Sequence, residues 1–260
     1  MDIRSFLPAV EALDLAAFRA GRTPQNLLIE SSEPLRVVYA PFDHIQRGAQ
    51  IVIVGLTPGR TQAANALETL QGTMKSKVPL PQALVQAKRI ASFSGAMRSS
   101  LLAMLDALNV PGLFGRARAA EFFAEDDRLV HFTSALRYPV FVDEQNYSGA
   151  PDPLGHPLLR RMINTHLAEE AAVLSNALWV PLGKHAEAAL MHLAKSGKLD
   201  GRRILAGMPH PSGANAERIN YFLGRKDRSA LSAKTSADKL DSAKAALRAQ
   251  LATLMSSRIE

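Results

Sequence analysis

Two loops in the sequence hold the residues best suited to binding or chemistry. The first, GLTPGRT at residues 55–61, places Gly55 and Gly59 around a proline, which predicts a turn whose backbone N–H groups face a ligand. It is not a Walker phosphate loop, because three residues instead of four separate the glycines and Arg60 follows where that pattern has lysine. Binding of a nucleoside triphosphate is therefore disfavoured. A plain turn between a strand and a helix is the alternative.

The second loop, PHPSGANAER at residues 209–218, holds His210 between two prolines. Proline fixes its own φ, so the imidazole sits on a stiff backbone. Such a histidine at a strand exit can donate a hydrogen bond to a leaving group or an oxyanion, which is worth about 3 to 4 kcal/mol in a water-poor site. A buried histidine that satisfies loop carbonyls is the alternative. A weaker alternative is a small-molecule hydrolase that uses His210 and Ser212, although the G-x-S-x-G elbow of α/β-hydrolases is missing.

Nothing in the sequence indicates metal or thiol chemistry. The chain has no cysteine, which excludes disulfides and thiolate ligands, and it has no HExxH motif. His185 and His192 are seven positions apart and do not match a metal-ligand spacing. The sequence therefore predicts no metal and no cofactor.

Short apolar runs alternate with longer segments of helical period, and these elements must position both loops. The runs are apolar throughout rather than alternating, which predicts strands buried on both faces of a parallel sheet. They cover residues 35–39, 50–54, 129–136, 177–182 and 203–208. Segments 94–109, 158–175 and 184–195 carry one apolar stripe each and are predicted to be helices. The sequence thus predicts an α/β fold, a three-layer α/β/α sandwich with a central, mainly parallel sheet.

The order of these elements also predicts where a site forms. In doubly wound sheets, ligands bind beyond the carboxyl ends of the strands. Loops 55–61 and 209–218, together with segment 134–140 (SALRYPV), leave three of the predicted strands at that edge. We therefore expect the three segments to line one site.

Length and composition are those of a globular protein. The 260 residues are 47% hydrophobic and 21% charged, which excludes disorder, collagen and coiled-coil arrays and predicts one domain over residues 1–260. Segment 226–260 is polar and alanine-rich, and we expect a basic C-terminal extension formed by a helix or helix pair, with a frayed tail as the alternative. The first residues do not match a signal peptide, and no stretch approaches the roughly 18 apolar residues of a membrane span. A cytoplasmic monomer without membrane contact is expected.

The charge balance favours a polyanionic partner. Lys and Arg number 31 against 24 Asp and Glu, so the formal net charge is +7. Basic residues gather on both sides of the second loop, which suits contacts with the phosphates of a nucleic acid. A solvated basic helix face is the alternative for each of them. The six are Arg202, Arg203, Arg218, Arg225, Lys226 and Arg228.

Five segments, in order along the chain, resemble the motifs of the uracil-DNA glycosylase superfamily. The resemblance runs from about residue 35 to 222, and it ends in the tripeptide HPS. The segments read IVIVGLTPG, SFSGAMRSSLLAMLDAL, VHFTSALRYP, WVPLGKHA and GMPHPSGANAERI. The resemblance implies the fold of that superfamily and a cofactor-free hydrolase that excises a base from single- or double-stranded DNA.

The resemblance also implies roles for individual residues. His210 matches the histidine that stabilises the departing base anion, and Thr57 occupies the position of the residue that orients water. Phe93 matches the aromatic ring that stacks on the extruded base, with a core phenylalanine that caps the following helix as the alternative. Ser134 stands where uracil-excising members usually carry the asparagine that reads the pyrimidine edge. The implied base-binding set is Gly55, Leu56, Phe93 and Ser134.

Contacts with the DNA strand are implied for the segment after HPS. In the superfamily this loop presses into the duplex, and the basic residues that follow it here suit phosphate contacts. The implied DNA-binding residues are Ser212, Gly213, Asn215, Arg218, Arg225 and Lys226.

Two positions depart from the superfamily pattern. Thr57 replaces a carboxylate or amide, and its neutral hydroxyl would orient water without deprotonating it; loss of a positioned base typically costs about 10²- to 10⁴-fold in rate. One broad-substrate subfamily also lacks this carboxylate. It has an apolar residue beside the first glycine and an asparagine shortly after HPS, and Leu56 and Asn215 resemble that pattern. Ser134 leaves the choice of base open, because a hydroxyl rotates where an amide is fixed. We therefore expect a monofunctional glycosylase for a damaged, deaminated or modified base, with a non-catalytic DNA- or nucleobase-binding module on the same fold as the alternative.

Overall fold

The structure, a computed structural model, describes residues 2–92, 96–124 and 128–256. Within these ranges the strands are β1 (Leu28–Ser32), β2 (Leu35–Val38), β3 (Ile51–Gly55), β4 (Val130–Ser134), β5 (Val140–Val142), β6 (Gln145–Asn146) and β7 (Leu178–Pro181). The α-helices are α1 (Leu7–Glu11), α2 (Leu15–Arg19), α3 (Arg60–Lys75), α4 (Leu80–Ala91), α5 (Ala96–Ala107), α6 (Pro157–Met162), α7 (Ala168–Val173), α8 (Lys184–Lys195), α9 (Ala216–Phe222) and α10 (Ala237–Ser256). A π-helical turn, Ile163–Leu167, joins α6 to α7. Across the described ranges, no helix combines enough length with enough apolarity to pass through a bilayer.

The strands that lead to the predicted site form a parallel sheet. β3 lies between β4 and β7, and Ile53 stands opposite Phe132 on one side and Val180 on the other. The predicted strands at 50–54, 129–136 and 177–182 correspond to these three elements. The run at 203–208 contributes one isolated parallel bridge, between Ile204 and Trp179.

The predicted strand at 35–39 does not belong to this sheet. β2 pairs antiparallel with β1 and β5 in a separate sheet of order β1-β2-β5-β6. The prediction was wrong because apolarity shows that a strand is buried but not which strand it pairs with. Arg36, inside the run, marks the difference: it is ion-paired with Glu144 at 2.5 Å, where both side chains are about one-third exposed.

Helices cover both faces of the parallel sheet. Along β3, Val52 and Val54 belong to one apolar core and Ile51 and Ile53 to another, as the alternation of side chains along a strand requires. The first core also contains side chains of α3 and α8, and the second contains side chains of α5 and α10. The architecture is mixed α/β and compatible with the predicted α/β/α layers.

The C-terminal segment contains a long helix that packs on the second core. In α10, Leu247 and Leu251 are 1% and 2% exposed. Gly207 approaches this helix so closely that an added Cβ would lie 2.9 Å from the Cβ of Ala243. Of the described residues 226–256, the last 20 therefore form one packed α-helix beside the second loop, preceded by a 3₁₀ turn at Arg228–Ala230, rather than a helix pair or a frayed tail.

Candidate functional site

The carboxyl ends of the parallel strands open into a cleft of about 1340 Å³. Gly55 at the end of β3 and Ser134 at the end of β4 stand opposite each other in register, and both line the cleft. Leu182, which follows the opposite edge strand β7, also lines the cleft, and so does His210. The three predicted segments therefore share one cavity, as strand exits in a parallel sheet do.

Most of the predicted site residues line this cleft. Phe93, the predicted stacking residue, lies outside the described residues. Gly213 and Arg225 line a separate depression of about 290 Å³ beside α5 and α9. Lys226 lines neither and donates a hydrogen bond to Glu217 over 2.8 Å. Those in the cleft are Gly55, Leu56, Thr57, Ser134, His210, Ser212, Asn215 and Arg218.

His210 is held in one protonation state by its own loop. The backbone N–H of Ser212 donates to Nδ1 of His210 over 3.2 Å, so Nδ1 acts as an acceptor and the ring proton sits on Nε2. Burial lowers the pKa of His210 below its ordinary value of 6.5. At neutral pH the ring is therefore uncharged and has one N–H donor, at Nε2.

The contact between His210 and Ser212 does not resemble a hydrolytic dyad. It is made by the amide of Ser212, whereas the Ser212 hydroxyl accepts a hydrogen bond from Nδ2 of Asn215 over 3.1 Å. Oδ1 of Asn215 in turn accepts from Arg218 over 2.7 Å. The serine is thus the start of a polar chain along the rim of the cleft, which disfavours the small-molecule hydrolase.

Gly183, in the loop between β7 and α8, packs directly against His210. A Cβ added to Gly183 would lie 3.0 Å from the Cβ of His210. The φ of Gly183 is +84°, a conformation that L-residues rarely adopt. The glycine therefore lets the histidine loop approach the strand end.

Substitution of Gly183 by alanine is expected to destabilise the protein and to displace His210. Gly197 offers a matched control, since its φ is +71° but an added Cβ would meet no atom within 4 Å. Both variants carry the backbone strain, and Gly183→Ala alone adds the clash. Chemical denaturation should therefore show Gly183→Ala losing about 1 to 3 kcal/mol more free energy of unfolding than Gly197→Ala. Equal losses would show that Gly183 does not position the histidine.

The hydroxyl of Thr57 ties the first loop to the segment after β4. It donates to the carbonyl of Tyr138 over 3.1 Å and accepts from the backbone N–H of Val140 over 3.1 Å. Its single proton is therefore committed to the backbone, and one lone pair remains for another donor. If Thr57 orients water, as predicted, its hydroxyl can do so only by accepting a hydrogen bond from the water.

The backbone amides of the first loop are only partly free, which corrects the prediction that they all face a ligand. The N–H of Gly59 donates to Gln62 over 3.0 Å, and that of Arg60 donates to Asn146 over 2.8 Å. These bonds cap α3, whose first amides have no partner within the helix. Among the described residues, the amides of Leu56 and Thr57 have no hydrogen-bond partner in this loop.

Cations outnumber carboxylates on the described walls of the cleft. Six Lys and Arg side chains line it, against one carboxylate, Glu187, which accepts from the amide of Gly207 over 3.0 Å. Two of the six are buried at its floor and four are exposed at its mouth. The buried pair is Lys88 and Arg137; the mouth cations are Lys184, Arg218, Lys234 and Lys239.

Sequence reasoning found only one of the four mouth cations. Arg218 was predicted from the second loop, and Lys184 lies in a quoted motif whose lysine was given no role. Lys234 and Lys239 reach the cleft because α10 packs beside the second loop, and no local pattern indicates that contact.

A buried ionic cluster lies at the floor of the cleft. Glu170, 0% exposed, accepts hydrogen bonds from Nε2 of His131 over 3.0 Å and from Nε of Arg137 over 2.8 Å. Burial lowers the pKa of His131 to about 4, so this ring is neutral. Although burial alone would raise the pKa of Glu170, Lys88, His131 and Arg137 hold it well below its usual range. The cluster does not extend to a metal site, since the described ranges hold no group of three or more His, Cys, Asp or Glu side chains placed for one.

Comparison with known proteins gives a relative but no assigned activity. No protein-family model and no solved structure matches the chain. The chain is 35% identical over 228 residues to YoxB, an uncharacterized protein of Bacillus subtilis (strain 168), and the alignment covers 86% of this chain and 89% of YoxB. Identity at this level over nearly the whole of both chains shows common descent. The chain belongs to the same protein family as YoxB.

Proposed function

We propose that this protein is a DNA base-excision hydrolase of the uracil-DNA glycosylase type, which cleaves the N-glycosidic bond of a damaged, deaminated or modified base. One observation carries the proposal: His210, an uncharged donor at Nε2, shares a cation-rich cleft with the first loop and with Ser134. The sequence resemblance to the uracil-DNA glycosylase superfamily implies such a grouping. The same resemblance supports the proposal that, within the mixed α/β architecture, the chain has the fold of that superfamily.

The proposed chemistry depends on stabilising the base as it leaves. The electron pair of the bond to C1′ departs with the base nitrogen, and the sugar becomes an oxocarbenium-like cation that water then attacks. The Nε2–H of His210 would donate to the anionic base, where one positioned donor is worth about 3 to 4 kcal/mol. Leu56 and Thr57 line the same cleft, and their amides, which have no partner among the described residues, would hold the base or the water. The proton lost by the water passes to the released base or to solvent.

Contacts with DNA are proposed for the mouth cations. Lys184, Arg218, Lys234 and Lys239 are exposed and line the cleft, so they can neutralise phosphates that flank an extruded nucleotide. Lys226 is ion-paired with Glu217 and is less available for this role.

Loss of a mouth cation is expected to lower the affinity for DNA and to make that affinity less dependent on salt concentration. Lys239→Ala should reduce the slope of log affinity against log salt concentration by about 1, because one phosphate contact is lost. Lys226→Ala is the control, since Glu217 holds that ammonium in the free protein. Fluorescence anisotropy with a labelled duplex at several salt concentrations measures both slopes. A wild-type slope for Lys239→Ala would remove α10 from the DNA-binding surface.

A non-catalytic DNA- or nucleobase-binding module is the second candidate. Two observations favour it: the Thr57 hydroxyl is committed to the backbone, and the carboxylate that lines the described walls, Glu187, is held by the amide of Gly207. Neither Thr57 nor Glu187 is thus an unengaged side chain placed to deprotonate water. The oxocarbenium-like sugar is a strong electrophile, however, so a weakly activated water is sufficient for the catalytic proposal.

The deciding experiment is a screen for base excision. The protein is incubated with oligonucleotides that carry uracil, hypoxanthine, xanthine, or alkylated or hypermodified bases, and abasic products are revealed by alkaline cleavage. We expect release of at least one base, with activity that persists in excess EDTA, because the proposed roles use no metal. Silence across the panel would overturn the catalytic proposal, and retained binding to the same DNA would then favour the module.

A further inference from the structure

Lys88 is a buried ammonium with hydrogen-bonding capacity to spare. It lies on α4, is 4% exposed, and lines the cleft. Its Nζ donates to the carbonyl of His44 over 2.7 Å, and the described residues offer it no other hydrogen-bond partner. An ammonium carries three donors, and a buried charge without acceptors is costly. The position therefore suits a ligand that brings acceptors with it.

Thr133 independently points to a ligand in the same cleft. This β4 residue is 7% exposed and lines the cleft, yet its buried hydroxyl has no hydrogen-bond partner among the described residues. Buried hydroxyls are nearly always paired, so this one has an unmet donor that a hydrogen-bond acceptor in the cleft would satisfy.

Arg137 fixes the chemical character of this part of the wall. It is 6% exposed, and Glu170 and the carbonyl of His166 hold its guanidinium through Nε and Nη2 at 2.8 and 3.1 Å. Lysine and arginine side chains have donors and no acceptors. Arg137 also pairs with Glu169 through Nη1 at 3.0 Å, so the donors left over among these lining residues are chiefly those of Lys88 and the hydroxyl of Thr133.

We propose that Lys88 and Thr133 determine base specificity by donating hydrogen bonds to the oxo groups of the extruded base. The inference rests on the proposed function. Lys88 and Thr133 would read the edge of the base, a role that the superfamily's asparagine fills and that the rotating hydroxyl of Ser134 leaves open. An exocyclic amine at the same position would place N–H against N–H, so amino-bearing bases are rejected. Phe42 lines the same cleft, and an aromatic ring beside donors suits a planar heterocycle better than a phosphate.

The test measures binding rather than excision. Single-stranded oligonucleotides carry one 2′-fluoroarabino nucleotide, which resists cleavage, with uracil against cytosine and hypoxanthine against adenine as pairs. The wild-type protein should bind each oxo base at least about 10-fold more tightly than its amino counterpart, and Lys88→Met should reduce that ratio about 10-fold or more. Lys75→Met, an exposed lysine that does not line the cleft, should leave the ratio unchanged.

A second variant protects the test from a folding defect. Lys88→Met keeps the length of the side chain, and Glu170 retains His131 and Arg137 as partners, so thermal unfolding should remain cooperative. Thr133→Val keeps the shape and removes only the hydroxyl, and it should reduce the ratio about 3- to 10-fold.

The possible outcomes separate the inference from the proposed function. A wild-type ratio retained by both folded variants overturns the inference and leaves base excision untouched. Inorganic phosphate that displaces the uracil oligonucleotide from wild type but not from Lys88→Met would identify an anion site instead and also overturn it. A wild-type protein that neither excises any base nor binds base-bearing DNA more tightly than abasic DNA would reject the proposed function, and the inference with it.

Discussion

Replacement of His210 by alanine is expected to slow base excision by about 10²- to 10³-fold while DNA affinity stays nearly constant. The donor at Nε2 acts on charge that develops only as the base leaves, so it contributes little to binding of the intact substrate. Single-turnover rates with enzyme in excess isolate this step, and anisotropy measures affinity. His192→Ala is the control, because His192 is partly exposed, is hydrogen-bonded to the exposed Asn164 and does not line the cleft.

The pH dependence of excision follows from the same contact. Burial lowers the pKa of His210 below 6.5, so the ring stays neutral at pH 7 and becomes charged only at a more acidic pH. Protonation of Nδ1 would cost the hydrogen bond from Ser212 and disturb the loop. The excision rate should therefore be constant near pH 7 and fall as the pH drops below 6.5. The rate of His210→Ala should not show this fall. An unchanged single-turnover rate in His210→Ala would remove the histidine from the site.

The parallel strands could be predicted from the sequence because their signal is local. IVIVG and its equivalents are continuous apolar runs, and such runs occur where both faces of a strand are buried. The pairing of β2 with β1 and β5 could not be predicted, since the run at 35–39 carries no information about its neighbours. Helices α3 and α4 were not predicted, although α4 supplies Lys88 to the cleft.

The candidate site was predictable to the extent that it follows from strand exits. Thr57 follows β3 and Ser134 ends β4, while His210 follows the run at 203–208, which joins the sheet through one parallel bridge; the three residues line one cleft because their segments leave the sheet at the same edge. The interactions of their polar atoms were not predictable, because the bond from Thr57 to the carbonyl of Tyr138 spans 81 positions. Lys88 was missed for a related reason: a lone lysine on an amphipathic helix usually lies on a solvated face.

Replacement of Glu170 by alanine is expected to lower the free energy of unfolding by about 3 to 5 kcal/mol. Glu170 is fully buried and accepts from His131 and Arg137, and its charge also stabilises the ammonium of Lys88. Its removal would leave two buried cations without this carboxylate. Glu169→Ala is the matched control: that neighbour also contacts Arg137, at 3.0 Å, but its side chain is 55% exposed, so its loss should cost at most about 1 kcal/mol.

Acid should weaken the same cluster before it protonates Glu170. The pKa of His131 falls from 6.5 to about 4 on folding, chiefly through burial, so the folded state takes up its proton later than the unfolded chain does. The stability from this histidine is therefore complete above pH 6.5 and is lost as the pH falls from 6.5 to about 4, by about 3 kcal/mol in total. Urea denaturation at a series of pH values measures the total slope, to which His44, His166 and His210 also contribute because burial lowers their pKa values; His131→Asn should reduce it. Equal losses for Glu170→Ala and Glu169→Ala, with the wild-type slope retained by His131→Asn, would show that the cluster does not stabilise the floor of the cleft.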